Sequence, residues 1–183
     1  MNPTQYIKNF RDAGESVNLL MGKAVLHEKR LYRGGRLNAV FTHKEMLNIP
    51  TILNLRSGKD KKKFEAVYLH VPATDKLENY DTKNRNVKKW INKVIGEIVE
   101  NEVELPILLH CTSGKDRTAV VVATILKALE IDEPIIIEEY LLSDGVLGAS
   151  DIKRALEGLS DIESYLKSGY VERLRGMFCD EEK

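Results

Sequence analysis

One segment of the chain carries side chains typical of nucleophilic chemistry on an anionic group. Residues 110–118 read His-Cys-Thr-Ser-Gly-Lys-Asp-Arg-Thr and join two apolar runs, 105–109 and 119–129. This pattern predicts a buried strand, a tight loop and a helix. The first N–H groups of a helix lack intrahelical partners and lie at the positive end of its dipole. The loop, residues 111–117, is therefore predicted to bind an anion, and we call it the anion loop.

Four side chains in and beside the anion loop predict its chemistry. Cys111 lies at its mouth, where the positive field favours the thiolate, so the sulfur can act as a nucleophile. Arg117 carries a planar guanidinium that can bind two oxygens of a tetrahedral oxyanion. Thr118 is expected to place a hydroxyl near the sulfur and to stabilise the thiolate by a hydrogen bond. We expect His110 to order the loop and to help keep Cys111 ionised.

The pattern His-Cys-x5-Arg-Thr resembles the signature of the cysteine-dependent protein tyrosine and dual-specificity phosphatases. Its longer form, His-Cys-x-x-Gly-Lys-Asp-Arg-Thr, is similar to the bacterial tyrosine-phosphatase branch that has additional phosphoinositide activity. Two further blocks, Phe-Arg-Asp at 10–12 and Tyr-Arg-Gly-Gly at 32–35, resemble elements of the same branch. The resemblance thus extends over most of the chain, and it implies that the phosphate contacts come from these residues: His110, Thr112, Ser113, Gly114, Lys115, Asp116 and Thr118.

Phosphoryl transfer to a thiolate also needs a general acid that protonates the departing oxygen. We place Asp75 first, because it follows the predicted strand 66–71 where dual-specificity phosphatases carry that aspartate. Asp116 lies inside the anion loop and resembles the extra acidic residue of the lysine-containing branch, and its alternative role is a hydrogen-bond acceptor that stiffens the loop. Asp81 is the third candidate, although an aspartate in that position more commonly begins a helix.

Strand and helix patterns alternate around these residues. Short apolar runs predict three strands: 51–55, 66–71 and 106–110. Helical spacing or capping signals predict helices at or near these positions: 42–45, 83–101, 119–129, 134–143, 151–159 and 171–178. Trp90 falls on the apolar face of its helix and is expected to pack, whereas segment 9–37 is predicted as strands and turns. We therefore predict an α/β fold with a mostly parallel central sheet flanked by helices.

Other charged residues are interpreted as support for this site. Arg11, Asp12 and Arg33 are expected to form an ion-pair network behind it. The resembling family often has Asp-Leu-Arg where this chain begins the same element with Asn54, so the usual internal charge partner is missing. The run Lys-Asp-Lys-Lys-Lys at 59–63 is interpreted as a solvated loop, with anionic lipid head groups as an alternative partner.

Bulk properties exclude several classes of protein. With 183 residues, we expect one domain, residues 1–183. The 28 Lys and Arg residues equal the 28 Asp and Glu residues, which is unlike a nucleic-acid-binding protein. Cys111 and Cys179 are too few for a disulfide framework, and Cys179 is interpreted as a surface thiol rather than a disulfide partner. Neither a leader nor a transmembrane segment is recognisable, so a cytoplasmic location is expected.

Together these features predict a phosphomonoester hydrolase that needs no metal and no other cofactor. Phosphotyrosine-containing protein is the first substrate candidate and phosphoinositide the second. Lys115 favours phosphoinositides if it adds a second cation to the site, but it can also face solvent or pair with Asp116. Two other classes stay open: a catalytically inactive phosphate-binding module, and a rhodanese-like sulfur carrier whose cysteine also precedes a helix.

Overall fold

The computed structural model describes residues 2–73, 78–101 and 103–179, and a five-stranded sheet forms its centre. The strands are β1 (Arg11–Asp12), β2 (Leu31–Gly34), β3 (Thr51–Asn54), β4 (Val67–His70) and β5 (Ile107–His110). Their order is β1-β2-β5-β3-β4, and all neighbours are parallel except β1 and β2. The predicted α/β class with a mostly parallel sheet is confirmed.

Strand β5 lies at the centre of this sheet because its apolar run is buried on both faces. Ile107 and Leu109 belong to the larger core cluster, whereas Leu108 belongs to the cluster on the other face. The register pairs His110 with Gly34 of β2 and with Asn54 of β3. Three parallel strands therefore end at the same edge, which is where such sheets bind ligands.

The described ranges contain seven α-helices, five of which follow β5. They are α1 (Ala13–Met21), α2 (Arg85–Glu100), α3 (Asp116–Ala128), α4 (Glu133–Leu141), α5 (Ser150–Gly158), α6 (Ile162–Tyr165) and α7 (Tyr170–Phe178). Short 3-10 helices cover Pro3–Gln5 and His43–Met46. Trp90 packs as predicted, and its indole Nε1 donates to the Val71 carbonyl at 3.1 Å. No described helix is both long and apolar enough to cross a membrane.

The prediction for the N-terminal segment is wrong at α1, where strands and turns were expected and a helix is found. The Asp12 carboxylate starts this helix by accepting a hydrogen bond from the Gly14 N–H at 2.9 Å. Gly22 ends it in the left-handed conformation, with φ of 67°. A short apolar run such as 17–21 does not distinguish strand from helix by periodicity alone, which explains the error.

Candidate active site

Cys111 directly follows β5 at the shared carboxyl edge of the parallel strands. The residue is buried, with an exposed fraction of 2%. Helix α3 begins at Asp116, so the predicted order of strand, loop and helix is confirmed. The unpaired N–H groups at the start of α3 and the positive end of its dipole therefore lie where the anion loop ends.

The curvature of the anion loop is set by hydrogen bonds that approach it from behind. Three successive carbonyl oxygens each accept one: Thr112 from the Arg36 N–H (3.1 Å), Ser113 from Asn9 Nδ2 (2.8 Å) and Gly114 from Arg33 Nη2 (3.0 Å). In a trans peptide unit the N–H points away from the C=O, so the N–H groups of residues 113–115 point to the opposite side. These N–H groups have no acceptor within the described part of the chain, and together they form an anion cradle.

Gly114 is required by this close approach. Its φ is 69°, and a Cβ atom there would lie 2.5 Å from the Gly34 carbonyl carbon. Backbone of the anion loop thus packs directly on the end of β2, with no room for a side chain between them.

Two arginines and one glutamate, which we call the rear cluster, support the loop from behind. Arg33 Nη1 lies 2.5 Å from Glu139 Oε2, and Arg11 Nε lies 2.8 Å from Glu139 Oε1. Arg33 is completely buried, and burial lowers its pKa while the charge of Glu139 opposes this effect. The interpretation of Arg11 and Arg33 as structural ion pairs is confirmed, and Glu139 of α4 is their partner.

Asp12 does not belong to this cluster, so that part of the prediction is wrong. Its carboxylate instead accepts hydrogen bonds from the backbone N–H groups of Gly14 and Lys29. Burial raises the pKa of Asp12, although these backbone hydrogen bonds act in the opposite direction. Asp12 therefore stabilises the start of α1 and a neighbouring turn, whereas Arg11 beside it reaches the rear cluster.

A second group, which we call the side cluster, comprises the buried Asp60 and His110 and the partly exposed Arg56. Asp60 Oδ2 lies 2.9 Å from His110 Nε2, and Asp60 Oδ1 lies 3.5 Å from Arg56 Nη1. The interpretation of run 59–63 as a solvated loop is thus wrong at Asp60, whose side chain is buried. Burial raises the pKa of Asp60, but the hydrogen bond with His110 and the nearby positive charges outweigh it, so the pKa lies below its ordinary value.

Arg117 and Thr118 occupy different environments. Arg117 is partly buried, and its guanidinium donates to the Leu55 carbonyl at 3.5 Å and to Thr112 Oγ1 at 3.3 Å. These contacts hold it between the end of β3 and the anion loop. Thr118 is completely buried, and its Oγ1 has no hydrogen-bond partner among the described residues. The predicted hydrogen bond from Thr118 to the sulfur of Cys111 is therefore not formed in this structure.

Of the three candidates for the general acid, Asp116 and Asp81 lie in the described part of the chain and differ in their surroundings. Asp75 lies in residues 74–77, outside the described part of the chain. Asp116 accepts a hydrogen bond from the Tyr80 hydroxyl at 3.0 Å, and Tyr80 also contacts the Tyr140 hydroxyl at 3.2 Å. Burial, the contact with Tyr140 and the charge of Asp116 raise the pKa of Tyr80, so Tyr80 remains protonated and donates to Asp116. Asp81 lies in a turn before α2, whose capping residue is Asn84.

Lys115 does not extend freely from the loop. Its Nζ donates to the Gly145 carbonyl at 3.1 Å and lies 3.7 Å from Asp116 Oδ1. Of the two roles considered for this lysine, the contact with Asp116 corresponds to the pairing alternative. The Gly145 contact also connects the anion loop to the segment that follows α4.

The second cysteine lies away from the first. Cys179 forms a β-bridge with Leu26, and the nearby Met177 carbonyl accepts a hydrogen bond from Arg30, which precedes β2. This is the edge where the parallel strands begin, whereas Cys111 follows their carboxyl ends. The two cysteines therefore lie at opposite edges of the parallel sheet, and the structure shows no disulfide between them.

A buried thiol and an arginine on a loop between a central parallel strand and a helix form the arrangement expected of a cysteine-dependent phosphatase. The chain belongs to the tyrosine phosphatase family, whose model matches residues 2–174. This match confirms the resemblance that residues 110–118 predict.

Similar proteins of known name include the triple specificity protein phosphatase PtpB of Mycobacterium tuberculosis. It is 34% identical over 71 residues, which are 39% of this chain, and the match spans 24% of PtpB. Among solved structures, DUSP15 has a TM-score of 0.55 at 14% identity, covering 85% of this chain and 98% of that chain. The core catalytic domain of the PP-IP phosphatase SIW14 from S. cerevisiae has a TM-score of 0.53 at 19% identity, covering 82% and 90%. Both structural likenesses show the fold.

Three residues that shape the site were missed by sequence analysis: Asn9, Asp60 and Glu139. Glu139 pairs with Arg33 across 106 positions of sequence, so no local spacing could indicate it. Asp60 carried a weak signal, because it is a lone acidic residue among four lysines. Asn9 stands one residue before the Phe-Arg-Asp block and has φ of 57°, which a sequence does not reveal.

Proposed function

We propose that this protein hydrolyses phosphomonoesters, phosphotyrosine above all, through a cysteinyl-phosphate intermediate. The observation that carries this proposal is the anion cradle: three successive carbonyl oxygens are bound from behind, so the N–H groups of residues 113–115 converge on the side opposite to those bonds. A phosphoryl group held there by N–H donors and by Arg117 has its negative oxygens neutralised without reorganisation of the site.

The reaction proceeds in two steps. The Cys111 thiolate attacks phosphorus, the bond between phosphorus and the ester oxygen breaks, and an aspartic acid gives its proton to that oxygen. Water then attacks the phosphorus, and the same residue, now a carboxylate, takes the proton of the water. The bond between phosphorus and sulfur breaks, which releases inorganic phosphate and regenerates the thiolate. Cradle N–H groups and Arg117 bind the equatorial oxygens in both steps.

We assign the acid to Asp75, with Asp116 and Asp81 as alternatives. Asp116 is already engaged by the Tyr80 hydroxyl and the Lys115 ammonium group, which supports a role in stiffening the anion loop. Asp81 belongs to the turn that leads into α2. The remaining proposed phosphate contacts are His110, Thr112, Ser113, Gly114, Lys115 and Thr118.

Phosphoinositides are the second candidate substrate. PtpB is named a triple specificity phosphatase, which supports activity beyond a single class of phosphoester. Lys115, however, donates to Gly145 and lies near Asp116, so its charge is partly used within the protein. This observation favours phosphotyrosine as the first substrate.

We further propose that residues 1–183 form one phosphatase domain and that the protein works in the cytoplasm without a nucleic-acid partner. The single sheet of the described residues and the family match over 2–174 support the first point. Two cysteines in 183 residues are too few for a disulfide framework, which supports a reducing compartment. Equal numbers of basic and acidic residues support the absence of a nucleic-acid partner.

The test is the initial rate of phosphate release from a phosphotyrosine peptide and from a panel of phosphoinositides. We expect Cys111→Ser to abolish turnover and Asp75→Asn to lower kcat by about 10²-fold or more. Cys179→Ser is the matched control and should keep the wild-type rate. If Asp116→Asn or Asp81→Asn lowers kcat more than Asp75→Asn does, that residue is the general acid.

Three other outcomes would indicate a different function or a different order of substrates. A wild-type protein that binds phosphotyrosine but releases no phosphate is a binding module. A persulfide on Cys111 of the purified protein indicates a sulfur carrier. Faster hydrolysis of a phosphoinositide than of the peptide reverses the order of the two substrates.

A further inference from the structure

We propose that Asp60 is a positioning residue for the nucleophile: its carboxylate holds His110 in one tautomer and one orientation, and thereby fixes the start of the anion loop. This inference rests on the proposed function for its catalytic consequence. The structural contact itself involves Asp60 of the lysine-rich run and His110, the last residue of β5.

The first support is the burial of Asp60 in a segment that is otherwise exposed. Its side chain is 4% exposed, whereas Lys59, Lys61 and Lys63 are exposed. Removing a carboxylate from water is costly unless the charge is paired and hydrogen-bonded. Asp60 satisfies this requirement through His110 and Arg56, so this segment is organised around an inward contact.

The second support is the chemistry of the contact. A carboxylate can only accept hydrogen bonds, so the His110 Nε2 that lies 2.9 Å from Asp60 must carry the hydrogen. The ring is completely buried, and its Nδ1 has no hydrogen-bond partner among the described residues. Asp60 is therefore the group that selects the Nε2–H tautomer, since no described residue competes for the other nitrogen.

The third support is the position of His110 in the backbone. Its carbonyl accepts a hydrogen bond from the Leu55 N–H at 2.9 Å, which fixes the end of β5 against the end of β3. Cys111 is the next residue along the chain. With the ring and the carbonyl of His110 both held, the chain enters the anion loop in a defined direction. A displacement of about 1 Å in a reacting group can lower the rate by about 10²-fold.

Asn54 explains why the carboxylate comes from Asp60. Asn54 lies beside His110 in the register, but its amide organises a turn: Oδ1 accepts from the Arg56 N–H at 2.8 Å, and Nδ2 donates to the Gly58 carbonyl at 3.0 Å. The chain turns through these residues and returns with Asp60 pointing inward. The carboxylate that reaches His110 therefore comes from Asp60, six residues after Asn54.

The experiment measures the ring nitrogens of the histidines by ¹⁵N NMR, at a pH where the rings are neutral, together with steady-state kinetics. We expect wild-type His110 to carry its hydrogen on Nε2, and Asp60→Asn to show a mixture of tautomers. We expect kcat of Asp60→Asn to fall about tenfold or more, with KM changed less than kcat. Lys61→Gln, which removes a charge from the exposed neighbour, should leave both the spectrum and the rate unchanged.

A wild-type His110 with its hydrogen on Nδ1 would overturn the proposal without any variant, even if Asp60→Asn does not fold. A folded Asp60→Asn protein with an unchanged tautomer and unchanged kcat would overturn it as well. Because the NMR measurement needs no turnover, an inactive wild-type protein would contradict the proposed function and leave the tautomer test valid.

Discussion

The rear cluster and the side cluster both hold the anion loop, but they act on different parts of it and use different chemistry. In the rear cluster, Arg33 binds the Gly114 carbonyl in the middle of the loop, and its charge partner is Glu139. In the side cluster, Asp60 binds His110 just before the loop begins. Guanidinium groups stay charged at all ordinary pH values, whereas a histidine ring can change its charge and its tautomer. The comparison indicates that a buried guanidinium supplies one of the three hydrogen bonds that set the loop curvature, whereas a carboxylate–imidazole pair sets the approach to the nucleophile.

The two clusters also differ in their balance of charge. One carboxylate in the rear cluster serves two arginines, so removal of Glu139 leaves both guanidinium groups without their partner. In the side cluster, one carboxylate serves His110 and Arg56, and Arg56 is partly exposed. Solvent can therefore compensate for a loss in the side cluster better than in the rear cluster.

The largest effect is expected from breaking the rear cluster. Glu139→Gln should lower the free energy of unfolding by about 3–5 kcal/mol, because it leaves the buried Arg33 charge uncompensated. Urea denaturation monitored by circular dichroism measures this loss. Glu138→Gln, an exposed neighbour on the same helix, is the control and should stay within about 0.5 kcal/mol of wild type. Equal stability of the two variants would show that the rear cluster is not a major support.

A smaller effect should follow when the loop backbone is pushed off β2. Gly114→Ala places a Cβ atom against the Gly34 carbonyl and also strains a positive φ, so we expect a loss of about 1–3 kcal/mol. We also expect kcat to fall at least about tenfold, since the cradle N–H groups shift. Gly22→Ala is the matched control, with φ of 67° and no atom within 4 Å of the added Cβ. Equal losses of stability in the two variants, with kcat unchanged in both, would show that the contact with Gly34 does not support the anion loop.

Variants of Asp12 test whether this residue belongs to the rear cluster. Asp12→Ala should cost about 1 kcal/mol through loss of the α1 cap, and kcat should not change. Asp12→Asn should retain most of that stability because asparagine is also a good capping residue. A fall in kcat similar to that of the Glu139 variant would mean that Asp12 belongs to the cluster after all.

The smallest expected effect is a change of stability with pH, which arises from Asp60 of the side cluster. The pKa of Asp60 is lower in the folded protein than its ordinary value of 3.8, so its ionised form stabilises the fold. This contribution is complete above that ordinary value and is lost as the pH falls through the lower, folded value. Stability curves of wild type and Asp60→Asn should therefore approach one another below about pH 4. Urea denaturation across this range measures it, and a constant difference between the curves would contradict the assignment.

Local sequence patterns were sufficient to predict the elements that build the site, but they did not predict its long-range contacts. β5 and the anion loop were predictable because an apolar run, a glycine and a helix start stand together in sequence. Helix α1 was not, because its short apolar run fits either period. Arg33 was recognised as a structural charge, yet its partner Glu139 lies on α4 and becomes a neighbour only in the folded chain. Asp60 was hidden among lysines, since sequence does not show which way a loop turns.

Cys111 becomes covalently phosphorylated during turnover if the proposed mechanism operates. The most direct measurement mixes the protein with a phosphotyrosine peptide, denatures it rapidly in SDS and locates bound phosphate by mass spectrometry of proteolytic fragments. We predict phosphate on Cys111 in the wild-type protein and none in Cys111→Ser. Phosphate on a histidine or an aspartate, or continued turnover with no phosphorylated residue, would contradict the account.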